Sequence, residues 1–140
     1  MLWRIVYVSS ASSRDFSADA AKILETARRE NTLRGVTGLL TYSEGSILQV
    51  LEGDRADVEA IFSRIERDPR HRSLIRLLAE PIPARDFSDW SMAWLDIPSD
   101  HHLAPQVSAT LREAHADGVN VSGEIRILLD AFSGSFGRLN

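Results

Sequence analysis

The chain has 140 residues, 44% of them hydrophobic and 26% charged, enough for one domain with a sizeable core and a short appendage. Sixteen basic residues against twenty acidic leave a net charge of −4, which argues against direct nucleic-acid binding. There is no cysteine, so disulfides, thiolate catalysis and cysteine-ligated metals are excluded.

The opening run "LWRIVYV", residues 2–8, is rich in β-branched and aromatic residues and predicts a first strand. Side chains alternate along it, so Trp3, Ile5 and Tyr7 share one face and Arg4, Val6 and Val8 the other. The run is too short for a signal peptide, and no stretch approaches the roughly 20 apolar residues of a membrane span. A cytoplasmic protein is expected. Next, "FSADAAKILETARREN" spaces Ala20, Ile23, Leu24 and Ala27 on one helical face. Ser17 is its expected N-cap, and Asn31 with Gly35 its stop.

"GVTGLLTY" and "SILQVLE" read as the second and third strands, and the short "SEG" between them predicts an antiparallel hairpin. Asp54 is the expected cap of a second helix, "RADVEAIFSRIERD", which Pro69 stops. "SLIRLLAEPI" is the fourth strand and "WSMAWLDI" the fifth. The order β-α-β-β-α-β-β predicts an α+β, ferredoxin-like sheet with two helices on one face. Its first and third strands are then neighbours at the centre.

Beyond about residue 99, two short amphipathic helices are expected. Val107, Leu111 and Ala114 space the first; Ile125, Leu128, Leu129 and Phe132 space the second. Residues 98–140 are too few for a core of their own, so this extension should pack on the sheet or on a partner.

Catalytic patterns are sparse. His71, His101, His102 and His115 follow no metal-ligand spacing, and there is no phosphate-binding or dinucleotide loop. An enzyme is not expected. What stands out is polar groups in apolar runs, above all Gln49 within "SILQVLEG" and Tyr7 on the first strand. If their strands pair in parallel register, the two lie at comparable heights. They then either satisfy each other as a core network or both face a ligand cavity. Arg64, Arg67, Asp68, Arg70 and Arg72 around the end of the second helix form either a solvated helix end or an anion site.

"VYVSSAS", "GVTGLLTYSEGSILQVLEG", "RIERDPRH" and "FSDWSMAW" together resemble, in order and spacing, the BLUF family of blue-light sensors that use FAD. The likeness covers roughly residues 1–97. It implies a flavin held between the two helices. On that resemblance Tyr7 is the photoactive tyrosine, Gln49 the switching glutamine and Asn31 the amide at the polar edge of the ring. Ile23 and Ile65 would sandwich the ring. Arg64, Asp68 and Arg70 would meet the ribityl and phosphate portion, and Trp90 and Met92 form the fifth-strand pair beside the glutamine. Glu30 receives no role. The resemblance implies a short sensor acting through a separate downstream protein, with a homodimer left open. The alternative is a non-photoactive ferredoxin-like domain that binds a small ligand or partner.

Overall fold

Alternation along the first strand sets the architecture. The computed structural model describes residues 1–12, 16–43, 45–87, 91–96, 104–116, 123 and 125–129. Its elements are β1 (Leu2–Ala11), α1 (Phe16–Arg34), β2 (Thr37–Ser43), β3 (Ser46–Asp54), α2 (Arg55–Glu66), β4 (His71–Pro81), β5 (Ala93–Asp96) and α3 (Ala104–Ala116). Residues 125–129 form a further helical turn.

The sheet order is β4-β1-β3-β2-β5. The first four strands pair antiparallel, and β5 adds to β2 in parallel. This is the expected α+β, ferredoxin-like arrangement. The parallel register assumed between the first and third strands is corrected: β1 and β3 are antiparallel. The α1 crossover sets β2 in the direction of β1, and the hairpin then reverses the chain into β3. Ser43 pairs with Ser46 across that turn, and Gly45 supplies a φ of +86° that residues with a Cβ rarely adopt.

The two faces of β1 enter separate cores. Ile5 and Tyr7 join Leu40 and Leu51 beneath Leu24 of α1 and Phe62 of α2. Val6 and Val8 join Leu39, Leu48 and Val50 on the opposite face, covered by Val107 and Leu111 of α3 and by Leu128 and Leu129. Covering both faces explains why these antiparallel strands read as nearly continuous apolar runs rather than as alternating ones. Each such buried aliphatic contributes about 1.5–3 kcal/mol relative to exposure.

Several local expectations change. Helix α1 begins at Phe16, which puts Ser17 inside its first turn rather than at the cap. It also runs through Asn31 to Arg34, so Asn31 is not its C-terminal cap. Gly35, at φ +67°, ends it, as that half of the expectation had it. The Gly35 N–H donates to Thr32 O at 3.4 Å and the Val36 N–H to Asn31 O at 2.8 Å, the paired closure of a Schellman motif. Asp54 is the N-cap of α2, but its side chain makes no capping bond; it lies 3.6 Å from the N-terminal amine. The fifth strand is shorter than expected, so Met92 precedes β5. Trp90 and Phe132 lie outside the described residues.

Candidate functional site

Tyr7 and Gln49 are direct cross-strand partners on the face covered by α1 and α2. Tyr7 is wholly buried, and its ring meets Phe62 edge-on at 5.5 Å and 67°. Burial pushes its phenol well above the ordinary value, and the charge of Asp68 adds to that. Tyr7 therefore keeps its proton at neutral pH.

Gln49 is 3% exposed. Its Nε2 donates to Met92 Sδ at 3.7 Å, a weak acceptor that leaves much of the amide's capacity for a stronger partner. Asn31 is wholly buried on α1. Its Nδ2 donates to the Ser91 carbonyl at 2.6 Å. That bond orients the amide, and Asn31 Oδ1 is left buried with no donor among the described residues. Such an acceptor costs about 1–3 kcal/mol unless something supplies an N–H.

A cleft of about 630 Å³, solvent mouth included, opens between α1 and α2 above these residues. Ile23 and Ala27 of α1 and Ile61 and Ile65 of α2 line it with aliphatic surface, and Asn31 and Gln49 contribute amides. The rim is charged. Arg64 Nη1 meets Glu30 Oε2 at 2.7 Å, joining the two helices. Arg70 binds Asp68 through Nε at 2.9 Å and Nη2 at 2.6 Å, while its backbone N–H donates to Asp68 Oδ1 at 3.0 Å.

Of the residues expected at a flavin site, Ile23, Asn31, Gln49, Arg64, Ile65, Asp68 and Arg70 line this cleft. Tyr7 and Met92 are not on its wall but adjoin Gln49. Trp90 is outside the described residues. The sequence reading missed Thr26, Ala27, Glu30 and Ile61. Helical spacing could have found all four, since Thr26, Ala27 and Glu30 follow Ile23 by three, four and seven residues and Ile61 precedes Ile65 by four. Spacing does not announce the partner of Glu30, which the approach of α2 supplies.

The residues present fit a flavin. Aliphatic side chains from two helices offer apolar surface to a flat ring, and Asn31 Oδ1 offers a buried acceptor to a ring N–H. Gln49 offers both a donor and an acceptor. Among the described residues, no helix is long and apolar enough to cross a membrane.

Comparison with known proteins agrees with this geometry. The profile of the BLUF family, described as sensors of blue-light using FAD, matches residues 2–93. Photoactivated adenylate cyclase subunit beta of Euglena gracilis is 34% identical over 96 residues. The match takes in 65% of this chain and 11% of the relative, so the chain spans about a tenth of that protein. Two solved structures are similar over nearly their whole length. The photo-activated state of BlsA superposes with a TM-score of 0.82 at 25% identity, covering 95% of each chain. The dark state of BlrB, a BLUF protein, superposes with a TM-score of 0.76 at 29% identity, covering 96% of each. The chain belongs to the BLUF family of blue-light sensors that use FAD.

Proposed function

We propose that Tyr7 and Gln49 are the photoactive pair of this sensor and that its signal passes to a separate partner protein. The observation that carries this reading is their direct opposition across β1 and β3, with Gln49 on the cleft wall beside the buried acceptor of Asn31. Ile23, Ile65 and Asn31 then hold the ring, while Arg64, Asp68 and Arg70 meet the ribityl and phosphate portion. Met92 adjoins Gln49, and Trp90, expected beside it, lies outside the described residues.

The bound flavin supplies blue-light absorption and an excited state that accepts an electron. The protein's part follows from proton and hydrogen-bond placement. Tyr7 holds its phenolic proton at neutral pH because burial disfavours the phenolate, so it can give up an electron and a proton together. Gln49 bears a donor at one end of its amide and an acceptor at the other. Reversing that amide rewires the site without moving β3. In a low-dielectric interior such a change is consequential.

The division into a photosensor over residues 1–97 and an extension over 98–140 belongs to the same proposal. The match to a family described as sensors of blue-light using FAD supports a sensor that regulates rather than catalyses. The Euglena relative, named as a photoactivated adenylate cyclase subunit, carries a similar segment within a much longer chain. The absorption spectrum of the FAD-loaded chain, in darkness and under blue light, tests the reading. A reversible shift of the flavin bands to longer wavelength is expected. A flavin spectrum that does not respond to light contradicts it.

A further inference from the structure

Met92 is fixed from two directions. Its Sδ accepts from Gln49 Nε2 at 3.7 Å, and its backbone carbonyl accepts from Arg28 Nε at 3.1 Å. One helical turn after Arg28, Asn31 Nδ2 donates to the carbonyl of Ser91 at 2.6 Å. Residues three apart on a helix share a face, so α1 grips two consecutive carbonyls of the segment leading into β5. The sheet does not hold these residues, because the ladder between β2 and β5 begins at Leu39 and Ala93. Methionine is unbranched and has three rotatable side-chain bonds. Sδ nevertheless lies only three bonds from Cα, so a shift of the main chain at Met92 carries the thioether with it.

We propose that Arg28 is a positioning residue of the photochemical site. By holding the Met92 carbonyl it sets the thioether against Gln49, and so governs how readily the Gln49 amide reverses. The inference rests on the reading of Gln49 as the switching residue and extends it. Arg28 is not on the cleft wall, so it acts through Met92 rather than through the flavin. A guanidinium is the donor, so the bond to the carbonyl is charge-assisted. Asn31 shares the grip but also faces the cleft; Arg28 alone separates the two tasks.

The test is the thermal decay of the light-induced red shift in the FAD-loaded full chain, compared among wild type, Arg28→Ala and Arg28→Lys. In Arg28→Ala the amide reorients past a thioether whose main chain is no longer pinned, and decay should quicken about fivefold. Arg28→Lys keeps a charged donor and should restore most of the wild-type rate. Should the alanine variant not fold, Arg28→Gln keeps a helix-compatible stem without the charge, and the same acceleration is expected. Decay at the wild-type rate or slower overturns the proposal, even with a lowered melting temperature, because Arg28 is then only structural. A wild-type chain with no red shift overturns the Gln49 reading as well; a cycling wild type with equally paced variants overturns only the role of Arg28.

Discussion

Arg4 on β1 and Glu52 on β3 face each other on the side of the sheet away from the cleft, with Arg4 Nη1 4.0 Å from Glu52 Oε2 and Glu52 wholly buried. The Glu52 carboxylate accepts the backbone N–H of Asp86 at 3.1 Å and of Phe87 at 2.9 Å. Arg4 also reaches Asp86 at 2.7 Å and Glu80 at 3.2 Å. Glu80 in turn takes both terminal nitrogens of Arg126 at 2.8 Å. One string of charges thus ties β3, the segment after β4, and the helical turn that covers the sheet.

Glu52→Ala removes the acceptor of two backbone N–H groups and one counter-charge of a nearly buried arginine. Unfolding free energy should fall by about 3 kcal/mol, read from urea denaturation. Glu52→Gln keeps an acceptor and should cost less. Burial raises the Glu52 carboxyl above its ordinary value, against the backbone bonds that lower it. A raised carboxyl means the folded state holds its proton more tightly than the unfolded one. Ionising it therefore costs stability above its folded pKa, and that cost is relieved as pH falls toward 4.5.

Glu80 titrates with the opposite sign. The hydrogen bond from Arg126, then that from Arg4, holds its carboxyl below the ordinary 4.5, although burial opposes them. Its stabilising contribution is complete above 4.5 and is lost as pH falls through its depressed folded value. Arg126 is half exposed, so the pair contributes less than about 1 kcal/mol. Glu80→Gln should lower stability by that amount near neutral pH, and the difference from wild type should close in acid.

The register of residues along single strands was legible in the sequence. The alternation in "LWRIVYV" separated Ile5 and Tyr7 from Val6 and Val8, and those sets enter different cores. The element order was legible because each apolar run carries its own period and its own stop. The direction of β3 against β1 was not read, although the short hairpin and the crossover helix together dictate it. Asn31 misled because asparagine suits a helix end, while here its amide is used in long-range bonding to Ser91. The Glu30–Arg64 and Arg28–Met92 contacts join residues 34 and 64 positions apart, and no local pattern announces them.

The covering helices give a test by paired substitutions. Leu128 is wholly buried against the sheet, whereas its neighbour Ile127 is 57% exposed. Leu128→Ala should cost about 2–5 kcal/mol. Ile127→Ala should stay within about 0.5 kcal/mol of wild type. Equal effects in chemical denaturation would mean that this turn does not pack through Leu128.

Asn31→Ala removes the buried acceptor on the cleft wall as well as the bond to Ser91. An unsatisfied polar group on the ligand costs about 1–3 kcal/mol, so FAD affinity should fall about 5- to 150-fold in a fluorescence titration. An unchanged affinity would remove Asn31 from the binding site.

The most direct measurement is the light-minus-dark absorption difference of the FAD-loaded Tyr7→Phe and Gln49→Leu variants beside wild type. Each substitution nearly keeps side-chain volume at a buried position while removing one member of the cross-strand pair. Both variants should bind FAD, since apolar burial supplies much of the affinity, and both should lose the reversible red shift that wild type shows. A wild-type-sized, reversible red shift in either variant would contradict the assignment of Tyr7 and Gln49 as the photoactive pair.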